Sequence, residues 1–195
     1  MKVHNIKQGT PEWLTLRLGK LTASKAQAIA SAGKGLETLA LEKVAELLTG
    51  KLPEQFESKD IERGNELEPM ARNSYELETG NVVTEVGFVE MDEYTGASPD
   101  GQVGTDGLVE FKCPNDKVFV QCLYTKKIDT AYEWQMQMQM WVCEREWVDF
   151  VLFNPNFPKP LIITRVMRNE VSIAKIKAGV QQGTAMIKTI LEAVK

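Results

Sequence analysis

Histidine is nearly missing from this chain: His4 is the only one among 195 residues. That leaves no basis for a serine–histidine–aspartate triad or for a metal site built on several imidazoles. Cysteine is also scarce. The three present, Cys113, Cys122 and Cys143, lack the close pairing of a zinc or redox motif and are expected as free, mostly buried thiols. No apolar run approaches the ~20 residues that span a bilayer. The opening residues "MKVHNIKQGTPEW" lack the apolar centre of a signal peptide, so a cytoplasmic location with no membrane partner is expected. Positive charge is in deficit as well, with 23 Lys and Arg against 27 Asp and Glu, a net charge of −4. That argues against a broadly basic surface but leaves a local one open. Any metal held by such a chain would be oxygen-bound, which points to magnesium, or manganese in its place.

No repeat, low-complexity tract or Pro/Gly linker divides the sequence, which is read as a single domain over 1–195. "TPEWLTLRLGKLTASKAQAIASAG" predicts two short helices broken at Gly19, the second capped by Thr22 or Ser24. "GLETLALEKVAELLTGK" predicts an amphipathic helix with Leu36, Leu39, Val44 and Leu47 at helical spacing and Gly50 as its stop. "SKDIERGNELEPMARNSYELETG" predicts a longer helix ending at Gly80, kinked or broken near Glu68 by Pro69. The valine-rich "NVVTEVGFVEM" predicts one strand, "TGASPDGQV" a short strand or turn, and "GLVEFKCP" another strand. "VFVQCLYTKKI" and "AYEWQMQMQMWVCE" read as helices, although the Gln/Met alternation imitates a strand. "EWVDFVLFNP" and "KPLIITRVM" are strands, and a long helix closes the chain. This order predicts an α/β domain with a central mixed β-sheet flanked by helices.

The chemistry concentrates in "ASPDGQVGTDGLVEFKCP". In a strand, Leu108, Glu110 and Lys112 share one face, and Val109, Phe111 and Cys113 the other. An edge strand with one wet face would explain the charged pair without any function. Asp100 argues for more. The glycine-rich turn from Gly101 to Gly107 can fold it back beside Glu110, and two carboxylates so placed repel unless a cation joins them. Lys112 would then polarise a water or offset charge growing on a phosphate. An Asp followed by Glu-x-Lys is the PD-(D/E)xK nuclease signature, here Pro99-Asp100 and Glu110-Phe111-Lys112.

Four blocks extend the match: "WLTLRLGKLTAS", "GNELEPMARNSYE", "SPDG" with "LVEFKCP", and "AYEWQMQMQMWV". In this order they resemble the lambda exonuclease family of phage-type recombination nucleases, also called YqaJ-type. The resemblance implies a restriction-endonuclease-like core. It also implies an enzyme that degrades one strand of linear double-stranded DNA from the 5′ end to mononucleotides, with Mg²⁺ (or Mn²⁺) as cofactor. Expected partners are DNA ends, a single-strand annealing protein and two further copies of the chain in a trimeric ring, inside a bacterial or phage-infected cell. By the same resemblance Asp100, Glu110, the Phe111 carbonyl and Glu68 are metal ligands and Lys112 the catalytic lysine. Glu66, two residues from Glu68, would point elsewhere on a helix. Arg17, Ser24, Ser98 and Gln135 match a 5′-phosphate pocket. Without the resemblance, Arg17 would be read as a surface ion pair, Ser24 as a cap and Gln135 as one polar residue on a partly wet helix. Gln137 and Gln139 keep that last reading, and Met136, Met138 and Met140 are read as adaptable core. The rival readings are a sequence-specific endonuclease on the same fold and a DNA-binding module with a decayed site.

Overall fold

The computed structural model describes residues 1–53 and 59–194, the side chains of 59–61 excepted. The larger of the two sheets among the described residues is five-stranded and mixed, made of β3 (Val83–Thr84), β6 (Gly101–Val103), β7 (Gly107–Lys112), β8 (Trp147–Phe153) and β9 (Leu161–Met167). They lie in that order, β7 and β8 parallel and every other pair antiparallel. A parallel pair needs a long crossover. Here α5 (Asp116–Thr125) and α6 (Thr130–Val142) supply it. Asn115 and Asp129 start these two helices by accepting the amides of Val118 and Ala131. A second, four-stranded sheet joins β1 (Lys2–His4), β4 (Phe88–Asp92), β5 (Thr95–Ala97) and β2 (Leu21–Thr22).

The alternation expected in β7 sorts its side chains between two cores. Val109, Phe111 and Cys113 join Ala71 and Tyr75 of α4 (Lys59–Thr79) on one face. Leu108 packs on the other, with Met136, Met138 and Met140 of α6, Ile29 of α2 (Ala26–Ser31), Leu36 of α3 (Lys34–Thr49) and Ile176 of α7 (Glu170–Val194). Glu110 and Lys112 therefore face the α6 side. Among the described residues no helix is long and apolar enough to cross a membrane.

Several expectations are corrected. "NVVTEVGFVEM" is two strands in different sheets, because Gly87 brings the backbone against the carbonyls of His4 and Ile6, where a Cβ would collide. The first residues, for which no element was predicted, form a strand: His4 pairs with Phe88, and its Nε2 lies 2.9 Å from Glu90. α4 runs unbroken through Pro69, so the ring removes one backbone bond without ending the helix. Neither Thr22 nor Ser24 caps α2. Thr22 enters a 3₁₀ turn at Ala23–Lys25 without a side-chain cap, and α2 follows that turn. Leu47 is exposed rather than core. It covers Gly19, which adopts a left-handed φ of 70° after α1 (Pro11–Arg17).

Buried Asp149 ties α4 to the sheet. Its carboxylate accepts from Tyr75 Oη at 2.7 Å and from Arg165 Nε and Nη2 at 2.8 Å each, Arg165 being its partner across β8 and β9. Burial first, then this bond, pushes the Tyr75 hydroxyl up to about 12, so it stays a donor. Glu68 lies seven residues, two helical turns, before Tyr75 and shares its face of α4. The same anchoring thus aims Glu68 at the sheet.

Gly179 lets α7 touch the end of α2, where an added Cβ would overlap the backbone carbonyl of Ile29. Gly179→Ala is therefore expected to lower unfolding stability by about 2–3 kcal/mol, because backbone cannot swing aside as a side chain can. Urea denaturation measures it.

Candidate active site

β6 and β7 pair with Gly101 opposite Val109. One residue further along that register Asp100 faces Glu110. Asp100 sits in the bend before β6, and its Oδ2 accepts the Phe111 amide at 2.7 Å. Gln8 steadies this bend by donating to the carbonyls of Pro99 and Val86. A cavity of about 490 Å³ opens at the end of β7, lined by Glu68, Asp100, Phe111 and Lys112, with Asn65 and Tyr132 at its sides.

Glu110 is 1% exposed and lies behind this cavity. Its Oε1 accepts from Lys112 Nζ and Gln135 Nε2, both at 2.6 Å, and its Oε2 accepts from Gln139 Nε2 at 2.7 Å. Lys112 Nζ also stands 5.3 Å from the centre of the Tyr132 ring. Burial pulls the ammonium's pKa down, but the charges of Glu110 and Asp100 more than reverse this, so Lys112 stays protonated. Asp100 is pushed well above the usual carboxylate range, by burial first and then by the charge of Glu110. Lys112 and the Phe111 amide offset this only in part. The Cys113 thiol is pushed up to about 11, mainly by burial, and is a poor nucleophile.

Glu68 reaches the cavity from the α4 side and accepts from Arg72 Nη2 at 3.2 Å. Arg72 also pairs with Glu85. Glu66 is exposed, as its helical position requires. Among the described residues no three acidic, histidine or cysteine side chains close around one point. Glu110 is instead turned into its ammonium and amide partners. The donor set nonetheless suits a hard divalent cation. Three carboxylates and the Phe111 carbonyl offer only oxygen, and after burial the charge of Glu110 is the next cause that raises the Asp100 carboxyl, a repulsion that such an ion would relieve.

A second cluster forms around Arg17. Its Nη1 donates to Ser98 Oγ at 3.3 Å, its Nη2 makes a long contact with Thr22 Oγ1 at 3.5 Å, and its guanidinium lies 4.2 Å from the Trp13 ring centre. Trp13 Nε1 also donates to Ser98 Oγ, at 3.0 Å. Ser24 joins through Thr22 at 3.4 Å and is exposed. Burial lowers the Arg17 pKa to about 10, partly opposed by the charge of Glu46, so it remains a cation at neutral pH. Glu46 also accepts the Gly19 amide at 2.9 Å and so holds the turn after Arg17. Ser98 precedes Asp100 by two residues, so one short turn serves both clusters.

The structure thus gathers Arg17, Ser98 and Ser24, but it places Gln135 on Glu110. The reading of Gln137 and Gln139 as wet helix positions is overturned, since both are buried. Gln137 bonds the carbonyl of Met167 and the amide of Asn169, and Gln139 bonds Glu110. The available signal was spacing: Gln135 and Gln139 are four apart on a helix and share a face. Trp13, Thr22, Tyr132 and Gln8 were not expected in the site; the first three stood in blocks that carried the resemblance, and Gln8 stood in none.

Residues 12–146 match the family described as the YqaJ-like viral recombinase domain. No curated protein matches. Among solved structures, the chain is similar to an alkaline exonuclease from Laribacter hongkongensis, with 36% identity, a TM-score of 0.88, and 95% of this chain and 96% of that one covered. The same exonuclease in complex with dAMP matches at 37% identity and a TM-score of 0.89, over 95% and 96% of the two chains. A phage-related exonuclease from Haemophilus somnus shares the fold at 18% identity, a TM-score of 0.69, and coverage of 90% and 96%.

Proposed function

The chain belongs to the YqaJ-like viral recombinase domain family and is similar to a solved alkaline exonuclease, and from that premise we propose that it degrades one strand of linear duplex DNA from the 5′ end. The reaction is Mg²⁺-dependent, releases mononucleotides and leaves 3′ overhangs for a single-strand annealing partner. One observation carries the reading: Glu68, Asp100 and Lys112 line one cavity, and Glu110 is hydrogen-bonded to that lysine. The dAMP held by the Laribacter exonuclease supports a mononucleotide product.

Asp100, Glu110, Glu68 and the Phe111 carbonyl would hold the metal. When bound, Mg²⁺ polarises a phosphate oxygen and lowers the pKa of its water. Lys112 donates from the cavity wall to the attacking water or to a phosphoryl oxygen, its charge kept by Glu110 and Asp100. Arg17 offers its planar fork to the terminal 5′ phosphate, and the Ser98 and Ser24 hydroxyls complete the grip. Gln135, matched to this pocket by the resemblance, donates to Glu110 Oε1 and is assigned to that carboxylate. Because Ser98 and Asp100 share a turn, a phosphate held by the first sets which bond reaches the second. The acidic net charge of −4 suits a trimeric ring, in which only the channel contacts DNA.

The test is incubation of linear and closed circular duplex with and without Mg²⁺. A 5′ label should leave the linear substrate first, as mononucleotide and only with the metal, while circles stay intact. Cut circles would favour an endonuclease. Arg17→Ala should raise KM about tenfold for 5′-phosphorylated ends, the scale of a lost charge-assisted bond. It should leave 5′-hydroxyl ends unchanged, and equal loss on both would refute the pocket.

A further inference from the structure

We propose that Gln139, acting beside Gln135, is a positioning residue that orients the Glu110 carboxylate for metal binding, an inference that rests on the nuclease reading above. Gln139 is 0% exposed on α6, and its Nε2 donates to Glu110 Oε2 at 2.7 Å. Gln135, one turn earlier on the same face, donates to Oε1 at 2.6 Å. The two oxygens are thus gripped separately from one rigid helix, while Lys112 approaches Oε1 from the strand. Oε1 takes two donors, Lys112 and Gln135, whereas Oε2 takes only Gln139 and keeps a further lone pair, so the bond from Gln139 orients the oxygen that can still accept.

Packing alone does not account for a glutamine here. Met136, Met138 and Met140 fill buried positions on the same helix, and methionine has similar length with no polar atom to satisfy. Gln139 instead leaves its Oε1 buried without a hydrogen-bond partner, a cost that a packing residue would avoid. Flipping the amide would not remove it, because Oε1 would then face the Glu110 oxygen. The amide is therefore retained for the bond its nitrogen makes. Groups that orient a metal ligand in this way change metal affinity or activity by about 10–100-fold when removed.

The experiment uses the full chain carrying Gln139→Met and, separately, Gln139→Ala, whose smaller side chain leaves room for a water. Mg²⁺ binding is measured by calorimetry without DNA, and kcat and KM are measured on 5′-phosphorylated linear duplex. Both variants should bind Mg²⁺ about tenfold more weakly, lose rate at low Mg²⁺ and recover it at high Mg²⁺, with KM for DNA unchanged. In a Glu110→Gln background, Gln139→Met should weaken Mg²⁺ binding no further. Parental Mg²⁺ affinity in both single variants overturns the proposal, as does an undiminished effect in the Glu110→Gln background. Failure of both variants to fold would make the bond purely structural and overturn it too. The nuclease reading falls separately, if the unaltered protein releases no nucleotide from linear duplex.

Discussion

Turnover of the Lys112→Ala variant is expected to fall by about 10²–10³-fold, the scale of losing one preorganised donor to a developing anion, with binding to linear duplex retained. The argument is positional. Lys112 is the cation on the cavity wall beside Asp100, and its Nζ is tied to Glu110 at 2.6 Å. Alanine removes the donor and also strips a counter-charge from a carboxylate that is 1% exposed. A fall in melting temperature should therefore accompany the loss of rate. The two effects separate in the Lys112→Ala/Glu110→Gln double variant, where a neutral amide replaces the stranded charge. Stability should recover there and cleavage should not. Gel shift, thermal melting and single-turnover cleavage on the same preparations decide it. Cleavage by Lys112→Ala within a factor of a few of the parent would remove the lysine from the chemistry.

Asp100→Asn should act in opposite directions on activity and on stability. The amide keeps an oxygen for the Phe111 N–H but discards a charge that burial and Glu110 both disfavour. Without metal the variant should melt higher than the parent near neutral pH, by several degrees for about 1–2 kcal/mol. With Mg²⁺ it should cleave at least about 100-fold more slowly, having lost a ligand. The sign with pH follows from the raised carboxyl. The folded state binds its proton more tightly than the unfolded chain does. Asp100 therefore contributes stability below its unfolded value near 3.8, and that contribution is lost as pH rises through the higher folded value. The metal-free parent should lose stability over that rise, and Asp100→Asn should flatten this part of the curve. A variant that melts lower than the parent at neutral pH would contradict the repulsion assigned to Asp100 and Glu110.

The strand that carries Glu110 and Lys112 was legible, and the stretch ahead of it was not. β7 could be read because its alternation is strict, and strand geometry turns alternation directly into faces: Val109, Phe111 and Cys113 reach one core, Glu110 and Lys112 the opposite side. The stretch before it misled, because "NVVTEVGFVEM" keeps strand composition throughout and only the close approach at Gly87 divides it between two sheets. Pro69 signalled a kink or a break, and the helix does not break there. A helix already pinned by Tyr75 on Asp149 tolerates one missing backbone bond. α6 was read as a helix against its Gln/Met alternation, yet the roles of its glutamines were misjudged. Burial depends on what lies opposite, and what lies opposite Gln139 is Glu110, 29 residues away in the chain.

The amino-acid order by itself determined the kind of chemistry: oxygen ligands with hardly a histidine, one lysine two residues past a glutamate, and an aspartate a hairpin earlier. These follow from residue type and short spacing, which every conformation of the chain carries. Only the tertiary structure decided which groups meet: Glu68 brought to the cavity by a tyrosine two turns away, Arg17 joined to Ser98 across 81 residues, and two glutamines drawn onto one carboxylate. Those encounters are set by the packing of α4 and α6 on opposite faces of one sheet, and packing is a property of distant surfaces that local sequence does not encode.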